Sequence, residues 1–202
     1  MRFRMISPKD WIFICIMGTL GNVISWLSII AAPFLPTVSF GPYSVSIALD
    51  LSHITTFVSA LYGGPAIGGL TGIIGGLVAA NEFGFSKGNL ITGFSLPLGK
   101  ALTGIVAGIV IAAMGLKDKK RHQLHFISST LISYIPEAVY TVFIFLAVFP
   151  TIFGTPVFVL YPIVIGILIK AFVEMIIEGV LLLTLANNQG FTMMMKSFFI
   201  KS

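Results

Sequence analysis

Six apolar runs, most of them as long as a bilayer's hydrocarbon core is thick, constrain this chain more than any motif does. They lie near residues 11–31, 44–62, 65–80, 90–116, 123–149 and 157–186. A core of about 30 Å takes roughly 20 apolar residues as a helix, so each run reads as a span, the third short and the last two long enough to tilt. Turn formers part them: Ala32 to Tyr43 holds three prolines, Asn81 to Asn89 is polar and glycine-bearing, and Pro150 to Pro156 encloses Gly154. With 56% hydrophobic and 9% charged residues and a mean hydropathy of +1.02, a chain of 202 residues cannot coat a water-soluble globule. The expected fold class is an all-α integral membrane protein, a six-transmembrane-helix bundle forming one membrane domain over residues 1–202.

Charge placement orients the bundle. A formal net charge of +5 would suit nucleic acid only if it formed a patch, and it does not. Of the twelve Lys and Arg residues, nine fall on one side if both termini are cytoplasmic: Arg2, Arg4, Lys9, Lys117, Lys119, Lys120, Arg121, Lys196 and Lys201. Only Lys87 falls outside, while Lys100 and Lys170 lie within spans. This positive-inside bias predicts cytoplasmic N- and C-termini, a multi-pass protein of the cell membrane, and no nucleic-acid partner. The first run follows basic residues as a signal peptide would, but it is long enough to span and lacks an A-x-A cleavage pattern, so it reads as a retained helix. Cys15 lies inside that run and reads as a small apolar residue.

Small residues recur every fourth position at Gly64, Gly68, Gly72 and Gly76, on one face of the third run. Such a ladder lets another backbone approach closely, for packing within the bundle or for docking on a second protein. Pro65 suits the first helical turn, and Gly104, Gly108 and Ala112 repeat the device in the fourth run. The Met193 to Met195 segment, with Phe198 and Phe199, reads as a short interfacial tail, lying on lipid or docking on a partner.

Ionisable residues inside the spans are the selective feature, because a charge at mid-bilayer costs about 2.5–3.5 kcal/mol on insertion scales unless it finds a partner or water. Lys170, Glu174 and Glu178 follow at i, i+4 steps in the sixth run, with Lys170 and Glu174 able to pair and Glu178 nearer the cytoplasmic end. Thr130, Tyr134, Glu137 and Thr141 form a polar seam in the fifth run. Lys100 follows Pro97 and Gly99, where the proline weakens the backbone ladder and frees carbonyls. Asp50 and His53 share a face of the second run, nearer the outer side. These groups read either as binding residues or as structural ion pairs, Lys100 with Glu137 and Lys170 with Glu174. One histidine beside one aspartate is too few ligands for zinc, so His53 reads as an interhelical hydrogen-bond partner and no metal site is expected.

Catalytic signatures are missing: the chain has no HExxH, no G-x-S-x-G and no Cys–His constellation. Gly99-Lys100-Ala101 lacks the glycine loop and the Ser/Thr of a Walker motif. No enzyme activity and no cofactor are expected.

The passage Asp50-Leu51-Ser52, followed by Leu61-Tyr62-Gly63-Gly64-Pro65-Ala66-Ile67-Gly68-Gly69-Leu70-Thr71-Gly72, resembles the substrate-binding S components of energy-coupling factor (ECF) transporters. It looks like that family's acid–small residue opening followed by a GP-x-x-G-x-x-x-G helix start. The likeness extends to the chain's length, its six runs and its cytoplasmic termini. The resemblance implies a vitamin- or micronutrient-capturing subunit that takes a small-molecule solute from outside and docks on a transmembrane coupling subunit driven by two ATPase subunits. It also implies a ligand site near the outer face, between the last three helices and the loops after the first and third. Carried onto this chain, that region includes Glu82, Asn89, Lys100, Tyr134, Glu137 and Lys170, with Glu174 beside it. The family often carries alanines four apart in its first helix for coupling. This chain has Gly18, Gly21 and Asn22 there, so part of the docking surface is expected on the ladder of the third run.

Two other readings are compatible with the same residues. One is a stand-alone proton- or sodium-coupled carrier that uses Asp50, Glu137, Glu174 and Glu178 as a relay. The other is a structural subunit of a membrane complex that binds no ligand. Mixed charge around Lys100 and Glu137 favours a polar or zwitterionic solute over a lipid.

Overall fold

A computed structural model of the chain describes residues 6–40, 43–116 and 123–199. The basic loop at Lys117, Lys119, Lys120 and Arg121, and the terminal Arg2, Arg4 and Lys201, lie outside the described residues, so the orientation argument rests on sequence there.

Helix α1 (Pro8–Ala31) starts at a capping box: Ser7 Oγ accepts from Asp10 N, and the Asp10 carboxylate accepts from Ser7 N at 2.8 Å. It buries Phe13, Ile14 and Met17 and turns Trp11, Leu20, Trp26 and Leu27 outward. Large apolar side chains on the outer face suit lipid and not water. Cys15 shares that exposed face.

The expected second span, 44–62, folds differently. Strands β1 (Thr37–Phe40) and β2 (Tyr43–Ser46) form an antiparallel hairpin, registered Thr37 to Ser46 and Val38 to Val45. The alternation of Thr37-Val38-Ser39-Phe40 and Tyr43-Ser44-Val45-Ser46 about a Gly-Pro pair carries this signal, which a rule based on apolar length does not see. Residues 47–52 are non-helical, and α2 (His53–Gly63) has only 11 residues, of which His53 to Leu61 are all buried. Helix α2 is therefore an internal element that other helices enclose.

Gly64, at φ +87°, turns α2 into α3 (Pro65–Gly75), and Ala60 of α2 then lies against Gly68. The glycine ladder faces α5 (Leu90–Ala113). A Cβ on Gly68 would stand 2.6 Å from Gly104 O, a Cβ on Gly76 2.7 Å from Pro97 Cα, and a Cβ on Gly72 would overlap the Lys100 backbone. Both glycine series predicted for packing thus meet each other. That face is filled by α5, so a second protein touching α3 would meet other residues of it.

Between α3 and α4 (Leu77–Phe83) the helix breaks at Gly76. Asn22 of α1 bridges the break, donating from Nδ2 to Ile74 O at 2.7 Å and accepting at Oδ1 from Val78 N at 3.0 Å. Gly18 and Gly21 bring α1 close enough, lying against Ile74 and Gly75. The positions expected to serve coupling are thus packed inside the bundle. Asn22→Ala leaves a donor and an acceptor unpaired in an apolar setting, and is expected to cost about 2 kcal/mol or more. A lowered thermal midpoint of the purified protein in detergent is the measurement; an unchanged midpoint would show that water replaces the bridge.

Helix α6 (Gln123–Phe143) continues through a wide turn at Ile144–Val148 into α7 (Phe149–Phe153), so residues 123–153 form one irregular rod just ahead of and through Pro150. It packs on α8 (Val157–Asn187), where Gly179 meets Ile127 and Thr130 donates to Met175 O at 2.7 Å. Helix α9 (Gln189–Phe199) folds back under the bundle: Phe198, tilted, and Phe199, edge-on, pack on Phe13 with centroids 5.3 and 4.9 Å away, and Tyr62 meets Thr192 at 3.0 Å. The tail is thus docked on α1 and α2, with Met195 buried and Met193 and Met194 left outward.

Among the described residues, five helical stretches are long and apolar enough to cross a membrane: Pro8–Phe34, Pro65–Lys87, Leu90–Ala113, Gln123–Phe153 and Val157–Asn187. This is an all-α membrane architecture with one small hairpin, and it differs from six uniform helices at residues 44–62.

Candidate functional site

The non-helical link before α2 brings the chain's intramembrane charges together. Asp50 lies in that link and not on a helix face. Its Oδ1 accepts from Ser52 N at 3.1 Å and its Oδ2 from Ser25 Oγ of α1 at 2.9 Å. Lys100, on α5, reaches across with Nζ donating to Ser52 Oγ and to Gly75 O at 3.3 Å, and stands 4.0 Å from Asp50 Oδ2. Gly75 is the last residue of α3, where the break leaves its carbonyl open to a side-chain donor.

On the opposite side, two glutamates one turn apart on α8 grip the same segment. Glu174 Oε1 accepts from Asp50 N at 2.7 Å, and Glu178 Oε1 accepts from Ile54 N at 3.2 Å, so Glu178 acts as a cap for α2 from another helix. Lys170 stands 3.7 Å from Glu174 Oε1, the i, i+4 pair expected from the sequence.

His53, the first residue of α2, meets Glu137 of α6 with Nε2 3.0 Å from Oε2, and Thr103 of α5 donates to the same oxygen at 2.5 Å. Gly99 makes room, because a Cβ there would lie 3.2 Å from Glu137 Cγ. Tyr134, one turn before Glu137, stands edge-on to the His53 ring at 6.3 Å.

Lys100, Tyr134, Glu137, Lys170 and Glu174 therefore lie in one cluster, where Lys170 and Glu174 keep the expected pairing and Lys100 and Glu137 do not. Lys100 pairs with Asp50 and Ser52 and not with Glu137, whose partner is His53. Asp50 and His53, read from the sequence as sharing a face of the second run, stand at the centre of the cluster. Glu178 belongs to it as well, fully buried against Ile54. Ser25, Ser52 and Thr103 complete the network; Thr103 was legible as the residue one turn past Lys100, whereas Ser25 carried no signal.

Two expected residues do not join. Asn89 caps α5, accepting from Thr92 N at 3.0 Å, and Glu82 lies half-exposed on α4 with its carbonyl accepting from Ser86. Glu82 lies in the last turn of α4 and Asn89 at the start of α5.

Chemically, the arrangement is a buried, mixed-charge clamp around an irregular backbone segment. Among the described residues, no group of three or more His, Cys, Asp or Glu side chains is placed to hold a metal ion. Its lysines and carboxylates are held by hydroxyls and backbone groups, which is what fixes charge in a low-dielectric interior. Comparison of the chain with protein families, characterised proteins and solved structures gives no match.

Proposed function

We propose that this protein is the membrane-embedded capture subunit of an ATP-driven uptake transporter, of the kind the ECF S components represent, binding a small polar solute at the Asp50–Lys100–Glu174 cluster. The observation that carries the reading is the unwound stretch at residues 47–52, surrounded by charged side chains from α5, α6 and α8. Irregular backbone at membrane depth is tolerated where it is enclosed by protein or lines a cavity, and broken spans are where transporters hold their substrates.

Length supports a sixth crossing made by this broken element. The four irregular residues 47–50 reach up to about 14 Å, and an 11-residue helix adds about 16 Å, against a hydrocarbon core of about 30 Å. That would return both termini to one side, the cytoplasmic side by the charge bias. The hairpin β1–β2 after α1 is tied back to that helix by Ser46 Oγ donating to Ala32 O at 3.1 Å, which suits a rim on the outer face. The Asp50-Leu51-Ser52 motif that carries the family likeness is also the node that binds Lys100.

The test is co-purification from native membranes joined to transport in liposomes. A capture subunit brings down a transmembrane coupling protein and ATPases, and moves no solute alone. Transport by the purified protein under a proton or sodium gradient, with no ATPase attached, would establish the carrier reading instead.

A further inference from the structure

We propose that the solute held by this cluster is an organic cation that presents N–H donors, an amine or amidine, with Glu178 Oε2 and His53 Nδ1 as acceptors waiting for it. The inference rests on the capture reading and names the class of its substrate.

Charge comes first. Among the described residues, four of the chain's seven acidic side chains, Asp50, Glu137, Glu174 and Glu178, meet Lys100 and Lys170 as their only permanent cations. By side-chain count the cluster holds four carboxyl groups against two lysines. An excess of carboxyl groups inside a bundle is met by a proton or by a bound cation, because an isolated buried carboxylate is costly.

Unmet hydrogen-bonding capacity points the same way. Glu178 is 0% exposed and His53 8% exposed, yet Glu178 Oε2 and His53 Nδ1 have no hydrogen-bond partner among the described residues. Glu137 Oε2 already accepts from Thr103, so His53 Nε2 is the nitrogen that carries the proton toward it, and Nδ1 is left as a bare acceptor. Glu178 Oε1 is used by Ile54 N, which leaves Oε2 as the second acceptor. The two acceptors belong to, or are bonded to, consecutive residues of the first turn of α2. The remaining unpartnered atoms, the hydroxyls of Thr56, Ser59 and Thr71, donate as readily as they accept and report nothing about charge. A metal ion would satisfy the charge, but no three-ligand group for one exists among the described residues. A donor-bearing organic cation satisfies both the surplus and the orphan acceptors.

The experiment uses the full-length protein in detergent. Small molecules released on denaturation are identified by mass spectrometry, and melting is followed with benzylamine, benzyl alcohol and benzoate at millimolar concentration. The expected result is a retained solute with a protonated nitrogen, or a melting shift with benzylamine alone, and a loss of about tenfold or more in that affinity in E178Q. An anionic or neutral retained solute overturns the proposal, as does E178Q binding benzylamine like the parent, or the parent retaining nothing and responding to none of the three probes. The identity of the solute is read on the parent protein, so a poorly folding variant does not suspend the test. Pull-down of the ATPases is scored separately: capture of an anion with ATPases attached defeats this inference alone, and capture of a cation by a protein that transports unaided defeats the capture reading alone.

Discussion

Gly104→Leu is expected to remove nearly all folded protein from the membrane fraction. A Cβ at Gly104 would overlap the Gly68 carbonyl, and the reverse contact from Gly68 stands at 2.6 Å. The neighbour in both cases is backbone, which cannot rotate away as a side chain can. Inserting atoms into a packed interior costs about 1–3 kcal/mol even where side chains can shift, and here α5 must leave α3 altogether. Separation would then expose the ladder, release Lys100 from Gly75 and open the break that Asn22 bridges, so the cost is not confined to one contact. Ala66→Leu is the control, on the facing helix α3 but at an exposed position, and it is expected to be tolerated. Fluorescence-detected size exclusion of the two variants checks both; a monodisperse Gly104→Leu peak of parental height would show that the close approach of α3 and α5 is not required.

Lys100→Met has the second largest expected effect. It removes the cation 4.0 Å from Asp50 and strips donors from Ser52 Oγ and Gly75 O together. Deleting one partner of a fully buried charge pair costs about 3–5 kcal/mol, mostly from the charge left behind, and the 27% exposure of the Asp50 side chain places this loss below that range. Asp50→Asn in the same protein is expected to recover part of that loss, because the stranded charge is then gone. A double-mutant cycle on thermal midpoints measures the coupling. Additive single effects would mean that the 4.0 Å approach contributes little and that Lys100 acts through its hydroxyl and carbonyl partners.

The pairing of Lys100 illustrates where sequence reading reached its end. Lys170 and Glu174 were legible as a pair because spacing along one helix fixes which side chains are neighbours. Whether Lys100 meets Glu137 or Asp50 depends on how α5, α6 and the link are rotated and displaced relative to each other, and no spacing rule carries that. Residues 44–62 were misread as one helix for a different reason. Apolar length measures the solvent a segment tolerates, and a strand, an extended link and a short enclosed helix can be as apolar as a span. Glu82 and Asn89 were included by the likeness of a region, not by any chemistry of their own, and Asn89 is used as a helix cap.

Composition and run length along the chain were enough to establish a helical membrane architecture, because hydropathy is a property each residue carries wherever it lies. The four-residue glycine spacing was enough to mark the packing face of α3, because the helix's own geometry keeps such residues aligned. The partners of the buried charges were settled in three dimensions. Asp50, His53, Lys100, Glu137, Glu174 and Glu178 come from four separate regions of sequence, and it is the close approach of α3 to α5 and the unwound entry to α2 that bring them within reach of one another.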